Sequence, residues 1–394
     1  MNLKALFFAK ASYFFYYAAL ACFLPFLALY FQSLGFTGSQ IGLLVSINPL
    51  TALFAGPFWN GMADATHRHK AVLLGVMVGC GVSVFLISLT RNFGLLIPLV
   101  AAYSFFSSPI IPLFNSSILN LLGDRQEEFG SQRLWASIGW GVAGPIVGWL
   151  TGRFGLHLAF YSYLVAITLA LLTTLRLPIY SAGSHPDGTY WRRLQTLIAN
   201  KSWYLFLLVI FLSGIGLSVV DNFLFLYMQE MGASNTLMGL ALTAATISEI
   251  PVLFFASWML RRWGTRGLLV ISLAAIVFRI FGYTLADAPW QVLLLQFTHG
   301  LTYSAMLVAG VTFASQMAPA GLDATAQSVF HTTMTGMGGI TGSLAGGMLF
   351  ERFGGEGLYA ISGTVVLLGL VFFLVNRKHF EKAASTEQRT SPMP

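Results

Sequence analysis

The run ISEIPVLFFASWMLRRWGTRGLLVISLAAIVFRIFGYTLADAPWQVLLLQFTH, from Ile247 to His299, sets Glu249, Arg279 and His299 inside three successive apolar stretches. Short polar breaks, Arg261-Arg-Trp-Gly264-Thr-Arg266 and Ala286-Asp-Ala-Pro289, divide them. An ionisable side chain at the centre of a bilayer costs on the order of 2.5–3.5 kcal/mol, so a group placed there faces a cavity or a partner. Three such groups in consecutive stretches point to one shared site. A proton-and-substrate relay and a buried ion-pair network that fixes helix packing both use such a set, and the two are compatible.

Outward from this run the pattern repeats along the whole chain. Of 394 residues, 56% are hydrophobic and only 9% charged, which no soluble domain matches. A bilayer core of about 30 Å takes roughly 20 apolar residues per helix. About twelve such runs are present, over 7–31, 39–62, 71–90, 94–119, 132–151, 156–177, 203–229, 235–258, 266–286, 289–316, 324–350 and 356–376. The fold class expected is an all-α polytopic membrane protein. A transmembrane barrel would show alternating ten-residue segments, which are missing.

The formal charge of +7 does not indicate nucleic-acid binding, because the basic residues fall in alternate inter-helix loops rather than in one stripe. Lys4, Lys10, Arg68, Lys70, Arg125, Arg176, Arg192, Arg193, Lys201, Arg261, Arg262, Arg266, Arg377, Lys378, Lys382 and Arg389 belong to one side. Only Arg91, Arg153 and Arg352 belong to the other. That bias puts both termini in the cytoplasm of a multi-pass inner-membrane protein. Cys22 and Cys80 lie in apolar runs, which argues against a disulfide framework or a thiolate metal site. The first apolar run, Phe7 to Phe31, is too long for a cleaved signal and reads as span one.

A polar connection, Pro178 to Lys201, divides the chain into a six-helix bundle at 1–178, a cytoplasmic linker at 179–202 and a second bundle at 203–378. Residues 379–394 read as a disordered cytoplasmic tail. The halves repeat each other. Tyr30, Gln32, Gly35 and Gly42 correspond to Tyr227, Gln229, Gly232 and Gly239, and Gly148, Arg153, Phe154 and Gly155 to Gly347, Arg352, Phe353 and Gly354. Two repeated halves suggest alternating access around a midplane cavity. Small residues at four-residue spacing, Gly144 and Gly148 in span five and Gly338, Gly342 and Gly346 in span eleven, let helices approach closely.

Several further polar groups lie at membrane depth. Arg133 and Trp140, seven apart, share a face of span five, where a guanidinium fork and an indole suit a ring that carries oxygens. In span four, Pro109 and Pro112 precede Asn115. Span seven carries Asp221, for which Arg279 is the nearest partner in kind. His299 is one turn from Gln296, Thr302 and Tyr303. Histidine titrates near neutrality and a desolvated Glu is pushed towards it, so Glu249 and His299 are the natural proton carriers. His331 stands apart and reads as structural.

The loop Gly61-Met-Ala-Asp64-Ala-Thr-His67-Arg68-His69-Lys70 resembles the Asp-and-basic signature of the major facilitator superfamily, with His67 where a glycine is usual. The polar set is similar to that of its lactose permease and phenylpropionate permease branches over nearly the whole length. That resemblance implies substrate contacts from Asn115, Arg133, Trp140 and Glu249, proton coupling through Glu249, Arg279 and His299, and ion-pair or gating roles for Asp221, Asp64 and Arg68. Asn115, Thr302 and Gln296 stand where the lactose permease has a sugar-binding carboxylate, a proton-carrying Glu and a Lys, which argues against galactosides.

The expectation is thus a monomeric proton symporter in lipid for a small organic solute, an aromatic carboxylic acid before a sugar or nucleoside, with no cofactor or metal. Efflux by proton antiport is the rival within transport. An enzyme would need a nucleophile with its base or a motif such as His-Glu-x-x-His, and a sensor a sizeable soluble domain. Neither is found in the sequence.

Overall fold

The computed structural model describes residues 3–123, 125, 128–179, 200–319 and 322–376. The expected linker falls almost wholly outside these residues. So does the tail, with Arg192, Arg193, Arg377, Lys378, Lys382 and Arg389. The first half comprises α1 (Leu3–Ser33), α2 (Gly38–Thr66), α3 (His69–Leu89), α4 (Phe93–Ser107), α5 (Ile110–Leu122), α6 (Phe129–Phe154) and α7 (His157–Leu175). The second comprises α8 (Lys201–Glu230), α9 (Asn235–Phe254), α10 (Ala256–Thr284), α11 (Pro289–Leu295), α12 (Ala305–Met317), α13 (Asp323–His331) and α14 (Gly338–Val375). No strand occurs among the described residues.

Among the described residues, ten helical stretches are long and apolar enough to cross a bilayer. Two physical points bring the count to twelve. Helix α6 is diluted by its glycines and by Arg133 and Arg153, yet its 26 residues suffice for a crossing. The stretch Thr325–Val375, 51 residues long, would extend about 75 Å as one helix, more than twice the bilayer core. Its backbone leaves the helix at Gly354 (φ 67°, ψ −174°), which separates spans eleven and twelve. Spans four and ten are each built of two pieces, α4–α5 and α11–α12. Helix α9 stops at Phe254, short of the boundary read at 258, one turn after Pro251 removes a ladder donor.

The repeat extends to backbone conformation. Left-handed turns fall at Gly35 and Gly232 (φ 84° and 79°), at Gly155 and Gly354 (φ 103° and 67°), and at His67 and Gly264 (φ 53° and 67°). Thr37 and Ser234, in equivalent places, cap α2 and α9 through their hydroxyls. His67 is the only non-glycine with positive φ among the described residues. Its ψ of 26° is that of the left-handed helix, whereas Gly264 has ψ 169°, so the two halves turn differently at this place.

Of these ten stretches, α1 and α8 are the most enclosed by protein. They are the central helices, spans one and seven, and meet where Phe26 and Phe225 sit edge to face at 5.1 Å. Peripheral helices keep an apolar stripe outward for lipid, as Val78, Val82, Phe85 and Leu89 do on α3.

The halves touch at the end opposite the start of α1, here the far end. There α6 meets α9, and α2 meets α14, by bare backbone. A Cβ on Gly144 would lie 2.7 Å from the Gly239 carbonyl oxygen, and one on Gly42 would lie 2.8 Å from Gly347 Cα. The Ser39 amide also donates to Glu351 at 2.8 Å across the halves, and Asn235 donates to Thr151 at 3.3 Å. Contact continues inward to Gly141–Thr246 and Gly336–Leu53. Nearer the termini the facing side chains Arg133 and His331 are exposed, so the cleft between the halves opens towards the near end.

Candidate functional site

Span nine inserts Arg279, only 2% exposed, into the second half. Its Nε donates to Tyr283 Oη at 2.6 Å and its Nη2 to Gln296 Oε1 at 2.5 Å. Its Nη1 lies 3.0 Å from Thr302 Oγ1 and 2.9 Å from His299 Nδ1. Tyr283 is four residues on along the same helix, a natural helical neighbour. Gln296, His299 and Thr302 recur every third residue. Span ten tightens to a 3-10 turn at Gln296–Thr298, which makes that spacing productive between Gln296 and His299, and a π turn follows at Gly300–Ser304. In a 3-10 turn, residues three apart project in the same direction.

The tautomer of His299 follows from donor counting. A guanidinium has donors and no acceptor, so His299 Nδ1 accepts from Arg279 and carries no proton. The remaining ring nitrogen, Nε2, lies 3.1 Å from Glu249 Oε1 and donates to it. His299 is therefore neutral in this conformation and joins a buried cation to a carboxylate. Protonating Nδ1 would break the bond to Arg279.

Glu249 and His299 are held in register by their neighbours. The Gly300 amide donates to Ser248 Oγ at 2.9 Å, and Ser248 Oγ donates to the Ala245 carbonyl at 2.7 Å. The Tyr303 ring stacks on His299, with centroids 5.6 Å apart and planes at 12°.

Arg133, in the first half, hydrogen-bonds Tyr17 of span one. Asn115 accepts from Tyr13 at 2.7 Å, so a second span-one tyrosine orients it. Trp140 is half-buried beside Gly141, whose carbonyl accepts from Thr243 of the other half at 2.6 Å. Tyr303 is within electrostatic range of Arg133, Tyr17, Asp221 and Glu249, which places these groups of both halves around one cleft. His331 also faces Arg133, company that the sequence did not reveal.

The sequence-derived groups divide accordingly. Glu249, Arg279 and His299 form one bonded chain, while Arg133 occupies the facing wall. Asp221 is exposed to the cleft and makes no ion pair or hydrogen bond among the described residues. The pairing with Arg279 is not formed in this conformation, because that guanidinium is engaged by neutral groups. Asp64 meets His69 at 2.8 Å rather than Arg68, which is exposed. The sequence reading did not single out Tyr13, Tyr17, Tyr283 or Ser248. The first two are four apart in an aromatic-rich helix where they look like packing. Among the described residues no group of three or more His, Cys, Asp or Glu is placed to hold a metal.

Comparison with known proteins agrees with this architecture. The profile of the MFS_1 like family matches residues 6–361. The chain is 27% identical to the maltose permease of Geobacillus stearothermophilus over 378 residues, 95% of each protein. It is 25% identical over 372 residues to the multidrug resistance protein MdtG of Enterobacter lignolyticus (strain SCF1), covering 90% of this chain and 88% of that protein. The crystal structure of nucleoside transporter NupG superposes with a TM-score of 0.84 at 20% identity, covering 95% and 99% of the two chains, a likeness of fold. The chain belongs to the MFS_1 like family, and its relatives and fold are those of major facilitator membrane transporters rather than enzymes.

Proposed function

We propose that this transporter is a proton-coupled symporter that takes up a small aromatic carboxylic acid of the phenylpropionate kind across an inner membrane. The observation that carries this reading is the bonded chain Glu249–His299–Arg279 facing Arg133 across a cleft open at one end only. Arg133 has no acidic partner among the described residues and supplies the fork for a substrate carboxylate. Tyr17, Tyr303 and Trp140 supply ring faces, and Asn115, oriented by Tyr13, a polar contact.

Protonation of Glu249 removes the anion that His299 serves, loosens the hold on Arg279 and biases the closure of the two bundles, 1–178 and 203–378, around the substrate. Asp64 and Arg68 act at the near-end gate. With both termini cytoplasmic, the cleft faces inward, and the protein works as a monomer.

A second reading, proton symport of a sugar or nucleoside, rests on the maltose permease relative and the fold shared with a nucleoside transporter. The test is uptake by reconstituted liposomes under an imposed pH gradient, using phenylpropionate, maltose and a nucleoside in parallel. Gradient-driven accumulation of phenylpropionate, lost in Glu249→Gln, supports the first reading. Accumulation of maltose or nucleoside alone selects the second, and accumulation of every solute without regard to the gradient overturns proton coupling.

A further inference from the structure

The outer face of the first half carries a groove that the transport cleft does not use. Helices α6 and α7 wall it with Val142 and Ile146 on one side and Tyr161 and Val165 on the other, and Ala18 and Cys22 of α1 form its floor. It encloses about 430 Å³, within the range of ligand pockets, and its lining is almost wholly apolar. The four wall residues are exposed, so the groove opens sideways to the bilayer. The opposite side of α6, with Gly144 and Gly148, is the one that meets the second half.

Both walls end in a polar group at the far end. On α6, Val142, Ile146, Trp149 and Arg153 recur at three- and four-residue spacing and so share a face. Arg153 is thereby one turn, roughly 4.5 Å, beyond the last lining residue of that helix, Leu150. Its guanidinium lies 6.0 Å from the Trp149 ring centroid and 5.8 Å from that of Phe154, a cation braced by aromatics at headgroup level. It has no acidic partner among the described residues. On α7, His157 sets its ring edge to face with Tyr161, centroids 5.8 Å apart. No carboxylate occurs in the far-end connections of this half, 33–39, 89–94 and 152–158. A headgroup amine finds no anion there, whereas a phosphate finds a guanidinium and an imidazole.

We propose that this groove is a binding site for an anionic phospholipid, with one acyl chain lying between α6 and α7 on α1 and the headgroup phosphate held by Arg153 with His157 beside it. An apolar groove alone accepts any chain; the cation at its mouth selects the headgroup. The bound lipid would brace the same helix that closes Gly144 on the second half, from the other side.

The test is native mass spectrometry of the full chain in detergent, supplied with phosphatidylglycerol or phosphatidylcholine of identical acyl chains. The expected result is preferential retention of phosphatidylglycerol, weakened about fivefold in Arg153→Gln, the scale for one basic residue at a lipid surface. Ser162→Phe, which puts a ring into the groove without altering charge, should also lower that retention. Arg176→Gln, at the opposite end of α7, should leave it unchanged. The proposal is overturned by equal retention of the two lipids, by retention unmoved in Arg153→Gln or in Ser162→Phe, or by a loss in Arg176→Gln as large as that in Arg153→Gln. No substrate or pH gradient is needed, so the outcome is independent of the proton-coupled reading.

Discussion

Ser248 and Gly300 bring spans eight and ten to backbone contact beside the two residues that exchange a hydrogen bond, Glu249 and His299. A Cβ on Gly300 would run into the Ser248 carbonyl. Gly300→Ala should therefore push the helices apart and lengthen the Glu249–His299 bond, at a cost of about 1–3 kcal/mol from overpacking. Ser248→Ala, which removes only the hydroxyl, should cost about 1 kcal/mol. Unfolding midpoints of the two purified variants check the order.

Arg279 uses the geometry of its fork as well as its charge. Arg279→Lys keeps the cation but cannot reach Tyr283, Gln296, Thr302 and His299 together. It should behave nearly as badly as Arg279→Gln, losing pH-driven uptake and about 3–5 kcal/mol of stability, the scale for breaking a buried charged network. Uptake in liposomes and thermal unfolding measure the two losses.

The neutral tautomer of His299 sets a ranking among its substitutes. Gln offers an acceptor and a donor on one side chain, whereas Ala offers neither. His299→Gln should retain more stability than His299→Ala by about 1–2 kcal/mol, since Ala leaves buried donors of Arg279 unpaired. Nitrogen-15 NMR of labelled histidine should show Nε2 protonated and Nδ1 bare near neutral pH.

At the far end, hydrogen bonds from the Ser39 hydroxyl, the Ser39 amide and Thr37 hold the Glu351 carboxyl below its ordinary range. A depressed carboxylate favours the conformation that depresses it at pH above its ordinary value of about 4.3, and loses that influence as pH falls through the lowered value. Acidification into that range, or Glu351→Gln at neutral pH, should shift the population towards far-end opening. Spin-label distances between the far ends of α2 and span eleven would lengthen in both cases, and unchanged distances would count against the contact as a latch.

Bulk at the glycine contacts should act in the same direction more strongly. Gly144→Leu combined with Gly347→Leu leaves no room for the Gly239 carbonyl or for Gly42. The expected protein is folded, open at the far end and inactive in transport, as read by the same distances and by uptake.

Much of this molecule was legible in its sequence because the bilayer imposes a one-dimensional code. Apolar length gave the spans, and the glycine pairs at a fixed offset gave the repeat, while the left-handed turns at Gly35 and Gly232 came only with the backbone. The ionisable trio in spans eight to ten was conspicuous because charge is rare at that depth. The rest was hidden for equally physical reasons. Tyr13 and Tyr17 are indistinguishable from core aromatics until Arg133 and Asn115 meet their hydroxyls. The 3-10 turn at Gln296–Thr298 leaves no mark in hydropathy, although it brings Gln296 and His299 into line on one guanidinium. Arg279 was the natural partner for Asp221 by charge alone, and four neutral ligands supplied by three-dimensional packing displaced it.

The far-end seam has a kinetic consequence. Glycine has no rotamers to freeze, so closing Gly144 on Gly239 and Gly42 on Gly347 loses no side-chain entropy at those four positions and gains mainly short-range dispersion. A carrier must pass through both conformations in every turnover, and each additional 1.4 kcal/mol of depth in either one slows escape from it about tenfold. A seam of larger interlocking side chains would hold better and turn over more slowly. Bare backbone keeps the two wells shallow enough for a bound solute to tip the balance.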